Sequence, residues 1–100
     1  MTHRDVFVVS TARTAIGTFG GSLKDVPNTQ LATTAVKAAI ARSGLAPDAV
    51  GHVVMGNVIP TDTKDAYLSR VAAIDAGCPI ETPAFNVNRL CGSGLQAIIS

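Results

Sequence analysis

Tryptophan is absent from this sequence, and aromatic residues of any kind make up only 4% of it, three phenylalanines and one tyrosine. Basic and acidic side chains nearly cancel, with eight Lys and Arg against seven Asp and Glu. Scattered charge and so few rings leave neither a basic stripe for phosphates nor a platform for bases, which excludes nucleic acid as a partner. Two cysteines, Cys78 and Cys91, are too few for a disulfide framework. The two histidines, His3 and His52, stand apart from each other and from the cysteines, so no metal-ligand spacing emerges and no metal is expected. No apolar run approaches the roughly 18 residues that a membrane helix requires, so no membrane partner is expected. Met1-Thr2-His3-Arg4 leads directly into an apolar run with no leader-like segment before it. The expectation is a reducing, cytoplasmic setting.

What is abundant is aliphatic. Hydrophobic residues account for 47% of the 100 and charged residues for 15%, with a mean hydropathy of +0.34. That balance belongs to a packed chain and not a disordered one. It is high for a free-standing domain. A sheet covered on both faces, or a large buried interface, accounts for it.

Periodicity predicts alternating strands and helices. Asp5 to Ser10 is a short β-branched run of the kind found in buried parallel strands. The glycines and hydroxyls between Thr11 and Lys24 mark a loop. A helix is predicted after Pro27, with Asn28 or Thr29 as N-cap, an apolar stripe at Leu31, Ala35, Val36, Ala39 and Ile40, and Gly44 just past its end. Val50 to Ile59 is the second predicted strand, with Gly56-Asn57 as a bulge or its end. A polar loop from Pro60 to Asp65 leads to a second helix with Tyr67, Leu68, Val71 and Ala72 on one face, stopped at Gly77. Pro83 to Asn88 is the third strand, and a third helix is predicted to open at Cys91. That helix meets no stop signal before Ser100, so the expectation is a chain that continues. The predicted class is α/β, a βαβαβα segment of a mostly parallel layered sheet.

In such sheets ligands bind beyond the carboxyl ends of the strands, and Cys91 falls there. A thiol at a strand-to-helix junction meets unpaired backbone N–H groups and the positive end of a helix dipole, which favour the thiolate. Gly92 and Gly94 leave room for a bulky electrophile. Cys91 is therefore the candidate nucleophile.

The segment Asn88-Arg89-Leu90-Cys91-Gly92-Ser93-Gly94-Leu95-Gln96-Ala97 resembles the acyl-enzyme motif of the thiolases. Arg13-Thr14-Ala15-Ile16-Gly17-Thr18-Phe19-Gly20-Gly21-Ser22-Leu23-Lys24 is similar to that family's N-terminal signature, and Gly51 to Val58 falls where the family has a strand. The resemblance runs through the chain in order. Its Leu-Cys-Gly-Ser-Gly core is most like acetyl-CoA acetyltransferases and short-chain 3-ketoacyl-CoA thiolases. It implies ping-pong acyl transfer between CoA thioesters: Cys91 takes the acyl group as a thioester, and free CoA or a second thioester accepts it. By the same resemblance the Cys91 N–H is one donor of an oxyanion hole. Coenzyme A is implied as substrate and product with no permanently bound cofactor, and a homodimer or homotetramer as the assembly. Thiolases are several-fold longer, and their activating histidine, second cysteine and most of the CoA-binding loop lie in later segments. Residues 1–100 are thus expected to be the N-terminal part of a thiolase N-terminal domain, inactive alone. The CoA-binding residues stay unassigned, and His52 lies too early to be the activating histidine.

The same residues bear on other functions. A ketoacyl-synthase-type condensing enzyme shares the doubled α/β fold and a cysteine, but not the signature from Arg13 to Lys24. A non-catalytic binding protein on the same scaffold would dispense with Cys91, which is intact. Ser93 is out of frame for a Gly-x-Ser-x-Gly elbow, so a local hydrogen bond in the first helical turn is expected. Gly17, Gly20 and Gly21 lack dinucleotide-loop spacing and are expected in a loop packed near the helix that follows Cys91. Structural ion pairs are expected for Arg13, Arg70 and Arg89, a surface or interface position for His52, a packed one for Cys78, and loop-holding side-chain bonds for Asn57 and Asn88.

Overall fold

The computed structural model describes residues 2–100. Helices α1 (Asn28–Ser43), α2 (Leu68–Asp75) and α3 (Ser93–Ile99) alternate with strands β1 (Val53–Gly56) and β2 (Ala84–Val87). The strands pair in parallel, Val53 opposite Ala84 and Gly56 opposite Val87. Parallel neighbours require a crossover connection, and α2 supplies it. Short 3-10 turns at Pro47–Ala49 and Thr63–Tyr67 lead into β1 and α2. Gly44 takes the left-handed conformation that ends α1, at φ 75°. No helix among the described residues is long and apolar enough to cross a membrane.

The core lies between the sheet and α2. Val53, Ala73 and Cys78 form its buried centre, with Ile40, Val50, Met55 and Ala84 packed around it. Ala72 and Ala73 are fully covered and Ser69 nearly so, small residues that let α2 lie close to its neighbours. The buried face of α2 is therefore Leu68, Ser69, Ala72 and Ala73. The predicted stripe differs by one position: Tyr67 ends the 3-10 turn and points outward, 68% exposed.

Three further expectations are corrected. First, Asp5 to Ser10 forms no strand. The segment belongs to no regular element, with Val6 92% and Phe7 76% exposed. It is fastened to α1 instead, where the Ser10 hydroxyl donates to the Ala39 carbonyl at 2.6 Å and Arg42 donates to the Thr11 carbonyl at 3.0 Å. An apolar run expresses a demand for burial but does not name the neighbour that must stand within about 4.8 Å to build a ladder. Second, β1 covers only Val53–Gly56 of the predicted ten residues, because Pro47–Ala49 winds into a turn and Gly56 is the last paired position. Third, Asn28 is the first residue of α1 and Pro27 flanks it without a side-chain cap. The Asn28 amide reaches across to Thr61 and Asp65, each at 2.9 Å.

Asp65 is the polar centre of the chain, only 1% exposed. Its Oδ2 accepts from the Thr61 N–H (2.9 Å), the Asn28 amide (2.9 Å), the Thr61 hydroxyl (3.0 Å) and the Asp62 N–H (3.1 Å). The last of these closes a capping box with Asp62 at the start of the 3-10 turn. The signature Asp-x-x-Asp was visible in a stretch expected to be plain loop. The Asp65 carbonyl in turn accepts from the amides of Asn57 and Asn86, both at 3.2 Å, so α1, β2, the turn and the residue that follows β1 meet on one residue.

The Thr61 N–H and the Asn28 amide hold the Asp65 carboxyl below the ordinary carboxylate range, against the cost of burial. A folded-state value lower than the unfolded one stabilises the fold above the unfolded value, and that gain disappears as pH falls through the folded one. The urea midpoint is therefore expected to decline on acidification below about pH 4. Asp65→Asn should flatten that decline while lowering the midpoint at neutral pH. An equally steep acid decline in the variant would exclude Asp65 as the group responsible.

Candidate active site

The carboxyl ends of the two strands lie side by side, where the Asn57 N–H donates to the Val87 carbonyl at 3.0 Å. From that edge the chain passes through Asn88, Arg89 and Leu90 to Cys91 and then into α3. Cys91 is a free, exposed thiol; Cys78 is free and buried. The position beyond the strand ends is the predicted one. The helix, however, opens two residues later than expected, at Ser93, with Gly92 flanking it. The reason is a tight turn that uses the intervening donors: Gly92 N–H to the Arg89 carbonyl at 3.0 Å and Ser93 N–H to the Leu90 carbonyl at 3.1 Å.

Leu90 is the strained residue of this turn. Its φ of 49° makes it the only non-glycine with positive φ among the described residues. That conformation costs an ordinary side chain about 1–2 kcal/mol and persists only where the surroundings impose it. Here they do. The Leu90 N–H donates to Asn88 Oδ1 at 3.0 Å, and Asn88 Nδ2 donates to the Val58 carbonyl at 3.2 Å. Ser93, 5% exposed, grips the other side: its hydroxyl accepts from the Arg89 N–H at 2.8 Å and donates to the Leu90 carbonyl at 2.7 Å. The local bond expected of Ser93 is present, and so are the loop-holding bonds of Asn57 and Asn88. The role of Ser93 in bracing the cysteine turn, and the strain at Leu90, had no sequence signal, since leucine is a poor candidate for positive φ.

The turn is seated on β1 by close approach. A Cβ at Gly56 would lie 2.7 Å from the Ser93 carbonyl carbon and 2.9 Å from the Gly94 nitrogen. Only glycine permits the start of α3 to rest on the end of β1. On the neighbouring strand, Asn86 accepts from the Ser69 N–H at 2.9 Å and donates to the Ala66 carbonyl at 3.1 Å, tying β2 to the head of α2.

The three arginines make no use of carboxylates. Arg89 donates to Gln96 Oε1 at 2.7 Å, bridging the turn to the next coil of α3. Arg70 donates to the carbonyls of Thr82 (2.8 Å) and Ile80 (2.7 Å), and Arg13 to that of Thr14 (2.9 Å). These bonds stand in place of the expected ion pairs. His52 is exposed as predicted, stacked obliquely on Phe85 with ring centroids 5.0 Å apart. Gly17 and Gly21 lie against Leu23 and Thr18 of their own loop. Two clefts open elsewhere: one lined by Lys24, Asn28 and Thr61, the other by Ala12, Val54 and Ile98. Cys91 borders neither.

Burial pushes the Cys78 thiol up from its ordinary value, since desolvation penalises its thiolate. A disulfide reagent such as Ellman's is expected to modify one thiol quickly in the native protein, at Cys91. Cys78 should respond only on unfolding. Fast modification of Cys78 under native conditions would show that the core around Val53 and Ala73 opens freely.

Residues 6–100 match the family model of the thiolase N-terminal domain. The chain belongs to the thiolase family. It is 61% identical over 97 residues to the beta-ketothiolase BktB of Cupriavidus necator, an alignment covering 97% of this chain and 25% of that protein. Acetyl-CoA acetyltransferase of the same organism is 46% identical over 95 residues, 95% of this chain and 24% of the relative. Human mitochondrial 3-ketoacyl-CoA thiolase, solved in complex with CoA, superimposes with a TM-score of 0.90 at 45% identity, covering 93% of this chain and 24% of that one. This thiolase segment thus spans about a quarter of the length of these relatives. The α/β fold is that of the family, with the three helices in the order that the sequence indicated.

Proposed function

We propose that this chain carries the acyl-accepting cysteine of an enzyme that transfers acyl groups between CoA thioesters, and that it forms the N-terminal part of that enzyme's N-terminal domain. The observation that carries the proposal is the exposed Cys91 just beyond the carboxyl ends of a parallel strand pair, in a thiolase-family chain. In the forward half-reaction the Cys91 sulfur attacks the thioester carbonyl carbon. The carbonyl pair moves onto oxygen and returns to expel the CoA thiolate, leaving the acyl group on sulfur. With a 3-ketoacyl-CoA the sulfur attacks the 3-keto carbon instead, and the same collapse breaks the C2–C3 bond, so that the acetyl-CoA carbanion departs and takes up a proton. A second thiolate, or a carbanion from a second thioester, then takes the acyl group and frees the cysteine. The oxyanion formed on the way needs donors aimed at it. The Cys91 N–H makes no hydrogen bond among the described residues, so it is free to serve.

Relatives named for ketothiolase and acetyltransferase activity favour this over a carrier-dependent condensing enzyme. The occurrence of CoA in the human thiolase complex supports CoA as the thiol partner. A homo-oligomeric assembly and a reducing, cytoplasmic setting belong to the same proposal, the latter supported by two free thiols. The test is to incubate the full-length protein with acetoacetyl-CoA, quench, and map the acetyl group by peptide mass spectrometry. An acetyl thioester on Cys91 is the expected result. Acetylation elsewhere, or none with turnover intact, overturns the assignment.

A further inference from the structure

A trans peptide unit is rigid, and its N–H points opposite to its C=O. The unit joining Leu90 to Cys91 is trans, like every other described peptide bond. Its carbonyl, on Leu90, is drawn inward by two donors of the same residue, the Ser93 N–H at 3.1 Å and the Ser93 hydroxyl at 2.7 Å. Its N–H, on Cys91, is thereby turned the other way and left without an acceptor among the described residues. The Ser93 oxygen also accepts from the Arg89 N–H at 2.8 Å, which belongs to the Asn88–Arg89 unit. The Arg89–Leu90 unit between them is held by the Gly92 N–H on the Arg89 carbonyl and by Asn88 Oδ1 on the Leu90 N–H, each at 3.0 Å. A single buried hydroxyl, 5% exposed, therefore fixes the plane that follows Leu90 and ties it back to Arg89, closing the clamp within which Leu90 keeps its left-handed φ of 49°.

We infer that Ser93 is a positioning residue for acyl transfer. Its hydroxyl aims the Cys91 N–H at the oxyanion and fixes the direction from which the sulfur meets the thioester. This rests on the proposed role of Cys91 as nucleophile. Ser93 touches no substrate and gives up no proton in the reaction; its proton stays on the bond to the Leu90 carbonyl. Without the hydroxyl, Leu90 relaxes toward negative φ, the peptide plane swings, and donor and sulfur leave their shared alignment. Misplacement of this kind acts on the transition state more than on the binding of CoA.

The test uses the full-length enzyme and reads single-turnover acylation by acetoacetyl-CoA together with KM. Ser93→Ala is expected to slow acylation by about 10²-fold, the penalty of ångström-scale misalignment, with KM changed by less than about threefold. Because glycine adopts positive φ freely, the same Ser93→Ala change made in a Leu90→Gly background should cost less than about tenfold, against the 10²-fold seen alone. A merely structural serine would show equal losses in both backgrounds, and that result overturns the inference. If Ser93→Ala does not fold, the isosteric pair Ser93→Thr and Ser93→Val replaces it. Thr, which keeps the hydroxyl, should acylate at least about tenfold faster than Val; equal rates overturn the inference. Cys91→Ala separates the two proposals. If that variant turns over normally, the nucleophile assignment fails. If it is inactive while Ser93→Ala keeps wild-type acylation, only the positioning role fails.

Discussion

Replacing Cys91 by alanine is expected to lower thioester exchange in the full-length protein by roughly 10⁴-fold or more, because the covalent route disappears along with its nucleophile. Stability should change little. Cys91 is exposed, packs into no core cluster and makes no side-chain hydrogen bond among the described residues. Serine at the same position keeps the shape but offers a hydroxyl that hardly ionises near neutral pH, so it should be almost as inactive. Acetyl-CoA formation from acetoacetyl-CoA and CoA measures the first effect, and the urea midpoint measures the second. Wild-type turnover in the alanine variant would end the acyl-enzyme account. Loss of folding along with turnover would show that position 91 has a structural part that its exposure does not suggest.

The second large effect is expected at Gly56, where no reactive group exists. A methyl group there would sit 2.7 Å from the carbonyl carbon of Ser93 and 2.9 Å from both its Cβ and the Gly94 nitrogen. Two of those three atoms are backbone, so the clash cannot be relieved by swinging a flexible side chain aside. Either the end of β1 or the start of α3 must move. Overpacking of this kind costs about 1–3 kcal/mol. The urea midpoint of Gly56→Ala should fall accordingly, and Gly56→Val should fall further. Any shift of α3 also displaces Ser93 and the turn it braces, so acylation should slow in Gly56→Ala even at temperatures where the variant is fully folded. Unchanged stability in Gly56→Ala would mean that the strand end and the helix start are less closely seated than the geometry indicates.

The two effects lie at opposite ends of what a sequence makes legible. Cys91 stands out locally: a β-type run before it, glycines after it, an apolar helix beyond. Gly56 carries no such mark, because its meaning comes from residues nearly forty positions later. Asp65 is intermediate. Its capping box is a four-residue pattern that can be recognised by eye, whereas its bonds to Asn28 and Asn86 span 37 and 21 residues. The exposed run from Val6 to Val9 shows the converse error, in which a strong local pattern predicts a strand that finds no partner.

By itself the sequence determined the alternation of helices and strands, the end of α1 at Gly44, the parallel relation implied by a helical crossover, and the place of Cys91 beyond the strand ends. Each of these follows from interactions within a few residues, where apolar period and turn chemistry act. Tertiary structure alone decided which strands pair, which face of α2 is buried, and that Leu90 is held at positive φ by Ser93 and Asn88 on a ledge that only Gly56 leaves open. Those outcomes depend on groups far apart in the chain, whose hydrogen bonds and close contacts come into being only once the backbone has brought them together.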